Sequence, residues 1–314
     1  MSGAVSVIVP TYRRPEMLRD CLTGLSGQTR PADQVVVVRR RDDDATAEVI
    51  RTAPLLVEEV LIDAAGQLAA LKAGVARAHG ALLVFTDDDV VPRPGWLAAL
   101  IRHYDDPLVG GVGGRDVPHP DPGHTPVASH AVGRFGRWGK HYGFQHAGAG
   151  PPADVQVLRG ANMSFRRSAH ALPCDLLGEG AQVHNDMATS LWAVSQGWRL
   201  RYDPAVLVDH YSGERFDEDQ RHRPSAGAVR NEAYNLVLTL LTLRPELTQR
   251  RAVYGLLIGD TAVPGLVRAL VALLLGSPSD VPSRLLPSLT GQCRALRDLR
   301  RGTRLLMEPS LVPS

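Results

Sequence analysis

Cysteine, aromatic residues, net charge and long apolar runs are all scarce in this sequence of 314 residues. Its three cysteines, Cys21, Cys174 and Cys293, lie far apart and match no disulfide or metal-binding spacing. The formal net charge is only +2, so no global basic field indicates a nucleic-acid partner. No apolar run reaches the roughly eighteen residues of a membrane span, and the run at 5–9 is too short for a signal peptide. These absences predict a cytoplasmic globular protein that binds no nucleic acid.

The first part of the chain alternates short apolar runs with helical patterns. Strand-like runs lie at 5–9, 35–38, 57–62 and 81–86, and helical spacing is found at 14–25, 45–52 and 67–78. Strands rich in Val, Ile and Leu that alternate with helices predict a parallel sheet covered on both faces. Ligands bind such sheets beyond the carboxyl ends of the strands. Three polar segments, 10–12, 39–44 and 87–89, follow those ends, so we expect them to line one site.

Three adjacent carboxylates, Asp87, Asp88 and Asp89, follow the apolar run at 81–85. Side chains alternate along an extended backbone, so Asp87 and Asp89 point to one side and Asp88 to the other. A hard divalent cation such as Mn²⁺ or Mg²⁺ relieves their mutual repulsion and keeps coordination positions open for substrate phosphates. The alternative is a solvated acidic turn before Pro92, but the buried strand ahead of the triplet favours a metal site.

The composition changes beyond residue 110, where Gly, Pro and His dominate up to about residue 160. Such a stretch predicts long loops over the site and a place for acceptor recognition. From residue 226 onward the pattern is helical. We therefore predict a catalytic domain at 1–225, with a nucleotide-binding half at about 1–110 and an acceptor-binding half at about 111–225, and a helical C-terminal region at 226–314.

Several segments carry a distinctive combination of motifs. They read VSVIVPTYRRPEMLRDCLTGLSGQT at 5–29, VVVVRRRDDDATAEVI at 35–50, GALLVFTDDDVVPRPGWL at 80–97, LRGANMSFRRSA at 158–169 and HNDMATSLWAVSQGWRLRYDPAVLVDHY at 184–211, followed by Arg-Asn at 230–231. In sequence and order they resemble glycosyltransferase family 2, whose members are inverting nucleotide-sugar transferases. The resemblance implies an α/β fold of the GT-A type, a Rossmann-like, mostly parallel sheet covered by helices, here with a helical C-terminal extension.

The same resemblance implies a metal-dependent inverting glycosyltransferase, a hexosyl- or deoxyhexosyltransferase. It would move a sugar from a nucleoside-diphosphate sugar to the hydroxyl of a glycan, a lipid-linked acceptor or a small molecule. The motifs cover about residues 4–235, so the last eighty or so residues lie outside the resemblance.

The resemblance also assigns the acidic triplet. Asp87 would face the ribose or nucleotide side, and Asp89 would coordinate the metal that bridges the diphosphate oxygens. His210 is a further candidate metal ligand, because a neutral imidazole suits Mn²⁺ and the strand ahead of it returns to the site. A hydrogen-bonding loop histidine is the equal alternative for His210.

The nucleotide pocket departs from the family pattern. The second strand usually ends in Asp-Asp-Gly-Ser there, whereas this chain has arginines at 39–41 and aspartates at 42–44. Either a displaced carboxylate such as Asp43 contacts the nucleobase, or an arginine such as Arg39 recognises a different base or the diphosphate. The plain alternatives are a helix cap at Asp44 and solvated arginines.

Other residues complete the donor set implied by the resemblance. Tyr12 would stack on the base, Arg14 and Lys72 would meet phosphates, and a glycine at 160 would let the backbone approach the sugar closely. The donor-binding candidates are Pro10, Thr11, Tyr12, Arg14, Arg39, Asp43, Lys72, Asp87, Asp88, Gly160 and Asn162.

Sugar transfer also needs a base for the acceptor hydroxyl. Where the family has an acidic pair ahead of a helix, this chain has Asn-Asp at 185–186, so Asp186 is the candidate base and the first acid is missing. Helix capping by Asp186 is compatible with that role, and Glu179 is the alternative acid. The candidates for stacking on an acceptor sugar are Trp138, His141 and Tyr142, which otherwise form a small core beneath a loop.

The C-terminal region suggests a location. Arginines recur at spacings of three and four, which predicts one basic helical face made of Arg294, Arg297, Arg301 and Arg304. Such a face, after the apolar stretch 256–276, predicts peripheral contact with an anionic membrane at its inner surface. A solvated helix packed on the catalytic domain and a homodimer contact are the alternatives.

The sequence leaves two rival functions open. A nucleotidyltransferase that makes nucleotide sugars shares the layered sheet and the metal, but it needs a glycine-rich phosphate loop after the first strand, and residues 10–14 contain no glycine. A non-catalytic glycosyltransferase-like binding protein is the other rival, because the first acid is missing and the second-strand motif is altered.

Overall fold

A computed structural model describes residues 3–119, 131–217, 224–275 and 281–310. Its strands are β1 (Val5–Thr11), β2 (Gln34–Arg40), β3 (Glu58–Ile62), β4 (Leu82–Thr86), β5 (Val90–Pro92), β6 (Val109–His119), β7 (Arg134–Phe135), β8 (His141–Tyr142), β9 (Ala153–Val155), β10 (Asn162–Arg166), β11 (Ala171–Pro173), β12 (Arg199–Tyr211) and β13 (Met307–Pro309). Its α-helices are α1 (Pro15–Ser26), α2 (Asp44–Arg51), α3 (Gln67–Arg77), α4 (Trp96–Ile101), α5 (Asn185–Ser195), α6 (Ala226–Leu243), α7 (Thr248–Leu257), α8 (Leu266–Leu274) and α9 (Val281–Arg300).

The central sheet has the strand order β3-β2-β1-β4-β10-β6-β12-β5, and β9 pairs with β12. The first four strands of the chain run parallel to one another, as do β6 and β12, whereas β10, β5 and β9 run antiparallel to their neighbours. Every strand and helix that the sequence predicts in the first part of the chain forms, with ends displaced by a few residues. The predicted α/β fold with a largely parallel sheet is confirmed.

Successive side chains of a strand point to opposite faces of the sheet, so these continuously apolar strands are covered by helices on both faces. Ile8, Val36 and Val38 point to the face covered by α3, α5 and α6, whereas Val7 and Val37 point to the face covered by α1 and α4. Burying each such aliphatic side chain contributes about 1.5–3 kcal/mol to folding. α1 meets its face with a stripe at helical spacing, which consists of Leu18, Cys21, Leu22 and Leu25.

Strand register brings the polar segments together. Thr11 at the end of β1 pairs with Arg39 of β2, and Ile8 pairs with Phe85 near the end of β4. The carboxyl ends of these parallel strands therefore share one edge of the sheet, as the sequence predicts.

The C-terminal helices pack on the catalytic part of the chain. Val237 and Leu238 of α6, Ala295 of α9 and Leu305 belong to the same buried cluster as the sheet side chains. β13 adds a further link, because it pairs with β11 in an antiparallel arrangement. The boundary at 225 stays a prediction, since these helices share a core with the sheet.

The predicted single face of four arginines is wrong. α9 ends at Arg300, and Gly302 follows with a φ of +96°, a left-handed conformation that terminates helices. Arg301 and Arg304 therefore lie beyond the helix, where Arg304 Nη1 donates to the carbonyl of Leu299 at 2.9 Å. Within the helix, the guanidinium of Arg294 lies over the ring of Tyr234, 5.0 Å from its centroid. Among the described residues, no helix is both long and apolar enough to cross a membrane.

His170 is a buried histidine that makes stability depend on pH. Its ring stacks on Phe85 with centroids 4.8 Å apart, and its Nδ1 lies 2.7 Å from Ser310 Oγ. Burial, with a smaller effect from the charge of Arg167, lowers the pKa of His170 from 6.5 to about 3. The unfolded chain binds a proton near pH 6.5 that the folded chain does not, so folding becomes less favourable as the pH falls below that value.

We expect His170→Phe, which retains the stacking on Phe85, to flatten this dependence. Each such histidine contributes a slope of up to about 1.4 kcal/mol per pH unit below its unfolded pKa. Urea unfolding between about pH 5 and 7 measures the slope for both proteins. The exposed His79 provides the control, and His79→Phe should unfold with the wild-type slope. Parallel curves for wild type and His170→Phe would contradict the assignment.

Candidate active site

A cleft opens at the carboxyl ends of β1, β2 and β4. It encloses about 810 Å³ when its open mouth is included. Its lining includes Thr11, Tyr12 and Arg14 after β1, the aspartates at 87–89 after β4, and residues 215–217. The structure thus brings together the segments after β1 and β4, which the sequence predicts to meet.

Asp88 joins the ends of β1 and β4. The residue is 2% exposed, and its side chain accepts hydrogen bonds from Thr11 Oγ1 at 2.8 Å and Arg14 Nη1 at 2.7 Å. Burial raises the pKa of Asp88 to about 6, although the charge of Arg14 acts in the opposite direction. Asp88 therefore fixes Arg14 in the cleft and has both of its oxygens engaged within the protein.

Asp89 and His210, the two candidate metal ligands, meet in the structure. Antiparallel pairing of β5 with β12 places His210 opposite Val90, and His210 Nε2 lies 3.4 Å from Asp89 Oδ1. The backbone N–H of Gly213 donates to Asp89 Oδ2 at 2.9 Å, and Arg14 Nη1 lies 3.6 Å from the same oxygen. Burial raises the pKa of Asp89, but the contacts with His210, Gly213 and Arg14 outweigh it and hold the value at about 2. Asp89 is ionised at neutral pH.

This pair fits a divalent cation of the kind that binds through few protein ligands. His210 Nε2 is buried beside Asp89 Oδ1 and makes no hydrogen bond of ordinary geometry within the described residues, so a neutral imidazole can offer this nitrogen to a metal that Asp89 also binds. The described residues contain no cluster of three or more His, Cys, Asp or Glu side chains arranged for a metal. Mg²⁺ and similar ions commonly bind through one or two carboxylates, with substrate phosphates and water as the remaining ligands.

Asp87 lies at the cleft beside the start of α3. Gln67 Nε2 donates to Asp87 Oδ1 at 3.5 Å, and the backbone N–H of Gln67 donates to Gly180 O at 2.9 Å. Gln67 and Gly180 both line the cleft, although sequence analysis identified neither. The first turn of α3 and the loop before α5 are thereby held against the acidic triplet.

Tyr12 contacts Arg40, one of the arginines at 39–41, and Phe216, which no sequence motif indicated. The guanidinium of Arg40 lies 4.0 Å from the centroid of the Tyr12 ring, and Phe216 meets that ring edge-on at 6.2 Å. The Tyr12 hydroxyl donates to Asp42 Oδ2 at 3.1 Å, and Arg40 Nη1 pairs with Asp217 Oδ1 at 3.1 Å. An aromatic ring and a guanidinium at the cleft form a surface on which a planar base can stack.

The structure does not bring Arg39 to this surface. Adjacent residues of a strand point to opposite faces, so Arg40 faces the cleft and Arg39 does not. Arg39 is 7% exposed, forms an ion pair with Glu59 and donates to the carbonyl of Asp43 at 3.2 Å. The arginine of this strand that can meet a ligand is one residue later than the sequence predicted.

Asp43 and Lys72 also lie outside the cleft lining. Asp43 is the N-cap of α2, where its carboxylate accepts from Thr46 N at 3.3 Å and from Arg13 N at 2.5 Å. Lys72 points toward β13 and forms an ion pair with Glu308 at 3.3 Å. Helix capping and tertiary pairing therefore account for two residues predicted to bind the donor.

Asp186, the candidate base, lies beside the predicted sugar floor. It is the second residue of α5, and its carboxylate accepts from Met187 N at 2.7 Å and from Gly160 N at 3.3 Å. Asn162 is placed differently, because its fully buried amide accepts from Trp96 Nε1 at 2.8 Å and donates to Val206 O at 3.1 Å. Gly160 thus adjoins the candidate base, whereas Asn162 stabilises the sheet.

Asp116 is a buried carboxylate that no sequence motif indicated. It is 1% exposed on β6 and pairs with Arg159 Nε at 3.1 Å. Burial raises its pKa, against the charges of Arg159, His210 and His146, while the charge of Asp186 adds to the increase. Asp116 is therefore close enough to sense both a candidate metal ligand and the candidate base, and a carboxylate there can accept hydrogen bonds from sugar hydroxyls.

The candidate acceptor residues surround the short β7–β8 hairpin. Burial lowers the pKa of His141, with the nearby charges of Asp186 and Asp260 acting in the opposite direction. Tyr142 lies beneath Lys140 Nζ, 5.1 Å from the ring centroid, and Trp138 is 52% exposed. His141 is thus the acceptor candidate that the structure places near Asp186.

The sheet order and the acidic edge define the class of protein, an α/β protein of the GT-A type. Residues 6–171 match the family described as Glycosyl transferase family 2, and the chain belongs to that family. The predicted family and fold are confirmed.

Among curated relatives, the pre-mycofactocin glycosyltransferase of Mycobacterium tuberculosis is 29% identical over 214 residues. The match covers 66% of this chain and 42% of the relative, so the chain spans less than half of the relative's length. Two solved structures share the fold. The mannosyltransferase PcManGT from Pyrobaculum calidifontis, in complex with GDP-Man and Mn²⁺, has a TM-score of 0.55 at 20% identity and covers 95% of this chain and 88% of its own. TarS 1-349 of S. aureus, in complex with UDP-GlcNAc, has a TM-score of 0.59 at 14% identity, with coverages of 96% and 92%.

The two neighbouring arginines of β2 provide a matched test of the cleft. We expect Arg40→Ala to weaken nucleoside-diphosphate binding by about 10- to 100-fold, the range for losing a charge-assisted contact, with little effect on stability. Arg39→Ala should leave nucleoside-diphosphate binding unchanged. It should lower the free energy of unfolding by about 1–3 kcal/mol, because it removes a buried hydrogen-bonding group.

Calorimetric titration and urea unfolding of both variants measure the two effects. The titrant is whichever of UDP, GDP, CDP and dTDP stabilises the wild type most in the presence of Mn²⁺, since a ligand at a hundredfold its Kd adds about 2.7 kcal/mol. Weaker binding by Arg39→Ala and unchanged binding by Arg40→Ala would contradict the assignment.

Proposed function

We propose that this protein is a metal-dependent, inverting glycosyltransferase that moves a sugar from a nucleoside-diphosphate sugar to an acceptor hydroxyl. The observation that carries the proposal is the meeting of Asp89, His210 and Arg14 at the sheet edge, with separations of 3.4 Å and 3.6 Å. Membership of glycosyltransferase family 2 supports it. The acceptor would be a glycan, a lipid-linked molecule or a small molecule.

Asp89 and His210 would hold the metal, Mn²⁺ or Mg²⁺, which when bound neutralises charge on the leaving diphosphate. Arg14 would add a fixed positive charge beside it, because Asp88 orients its guanidinium. Tyr12 and Arg40 would hold the nucleobase, and Asp87 the ribose. The complexes of PcManGT with GDP-Man and Mn²⁺ and of TarS with UDP-GlcNAc support a nucleotide-sugar donor.

Asp186 would act as the general base. Its oxygens accept backbone N–H bonds from Met187 and Gly160, which fixes the carboxylate at the start of α5. It would take the proton of the acceptor hydroxyl as that oxygen bonds to the anomeric carbon and the bond from this carbon to the diphosphate breaks. One displacement of this kind inverts the anomeric configuration.

The metal role predicts that Asp89→Ala abolishes transfer while the fold survives, because the carboxylate that binds the cation is lost. The control is Asp20→Ala, which removes an exposed aspartate of α1 and should transfer sugar at the wild-type rate. Excess EDTA should also abolish transfer by the wild type, and added Mn²⁺ should restore it. Full activity in excess EDTA would falsify the metal role.

The base role is tested by Asp186→Asn, which keeps one of the two hydrogen-bonding oxygens but removes the proton acceptor. We expect turnover to fall about 10²- to 10⁴-fold, the usual contribution of a general base, with donor binding retained. Single-turnover kinetics and donor titration measure the two quantities separately. The matched variant Glu179→Gln changes the alternative acid, and an inactive Glu179→Gln beside a fully active Asp186→Asn would assign the base to Glu179.

A further inference from the structure

The α7–α8 pair carries exposed aliphatic side chains that the catalytic proposal does not use. On α8 and directly after it, the side chains are between 47% and 77% exposed at Leu266, Val267, Leu270, Val271, Leu273, Leu274 and Leu275. The spacing of those on the helix places most of them on one side of α8. We call these seven residues the α8 surface. Exposed apolar patches of this kind mark contact sites.

The opposite side of α8 is anchored in the protein. Ala269 is only 4% exposed, and Val263, just before the helix, belongs to a buried cluster with side chains of α5 and α6. Ser288 Oγ of α9 donates to Pro264 O at 2.8 Å, and Gln292 Nε2 donates to Gly255 O at 3.2 Å. These buried polar contacts fix the helix pair on α9, so the α8 surface is held outward on a packed element.

The end of α7 extends the α8 surface. The backbone N–H of Gly265 donates to Ile258 O at 2.9 Å, which places the end of α7 beside the start of α8. Leu257 and Ile258 are each 44% exposed at this junction. Exposed aliphatic side chains at the end of α7 therefore adjoin the start of α8.

Positive charge is concentrated in the same part of the chain. Residues 248–304 contain nine arginines, no lysine and three aspartates, a net charge of +6, whereas the whole chain carries +2. The remainder of the chain therefore carries −4. Arg251 is buried, but the segment as a whole stays positive, so it repels a second copy of the same segment and is attracted to an anionic bilayer.

We propose that the α8 surface is a membrane-contact site, where α8 lies in the plane of an anionic bilayer with its leucines and valines at the acyl boundary. A helix of nine residues is about 14 Å long, too short for a hydrocarbon core of about 30 Å, so it rests in the interface. The arginines of this region would lie near the headgroups. The sequence predicted a membrane contact through the arginines at 294–304, whereas this proposal places the membrane contact on α8.

Liposome co-sedimentation of the full chain tests the proposal without a donor or acceptor. We expect the wild type to pellet with vesicles of phosphatidylcholine and phosphatidylglycerol at low salt, and less so at high salt or with phosphatidylcholine alone. Leu270→Gln with Leu274→Gln should lower the vesicle-bound fraction by about tenfold or more, because two exposed apolar anchors are lost.

The matched control changes two leucines of the catalytic part that are together more exposed than Leu270, at 55%, and Leu274, at 74%. Leu56 is 90% exposed and Leu108 59%, so Leu56→Gln with Leu108→Gln should bind vesicles as the wild type does. Urea unfolding confirms that both double variants fold. Wild type that stays in the supernatant with anionic vesicles overturns the proposal, as does wild-type binding by the α8 variant. If the wild type does not bind vesicles but forms a dimer that the α8 variant cannot form, the proposal is wrong and the surface is a contact between copies of the chain.

Discussion

Repulsion among three carboxylates at the end of β4 is the constraint on which the site depends. The fold assigns each a different partner: Asp88 is buried against Thr11 and Arg14, Asp89 is held by the N–H of Gly213 and lies beside His210, and Asp87 faces Gln67 at the cleft. Burial raises the pKa of one carboxyl to about 6, while neighbouring donors hold the next at about 2. Opposite environments on adjacent residues make Asp88 a structural anchor and leave Asp89, the proposed metal ligand, ionised at neutral pH.

Each of those partners arrives from a distant part of the chain. His210 comes from the far end of β12, a strand that pairs with β6 along its length, with β9 in its first half and with β5 near its end. Asp186 is fixed by the start of α5, which packs against α6. The C-terminal helices therefore contribute to the core behind this candidate base, and the same helices hold α8 outward. The candidate active site and the proposed membrane contact depend on one packed scaffold.

The predictions from sequence succeeded where a local period carries the information. Valine-rich runs and helical stripes located the first strands and helices, and the acidic triplet located the sheet edge. They failed at residues whose side chains have two reasonable partners. Arg39, Asp43 and Lys72 were assigned to the donor, yet an ion pair with Glu59, the cap of α2 and an ion pair with Glu308 hold them elsewhere. Asp116 lies in no recognisable sequence motif. Its importance follows from its burial beside Arg159, which only the structure shows.

The sequence by itself determined the fold class, the family and the edge at which the acidic residues gather, because hydrophobic periodicity and the order of motifs are properties of the chain alone. Tertiary structure decided which of two adjacent arginines faces the cleft, that His210 reaches Asp89, and that the arginines after α9 do not form one helical face. These outcomes depend on strand register, on the point at which a helix ends and on contacts between residues over a hundred positions apart, such as Asp89 and His210. No local pattern encodes those distances.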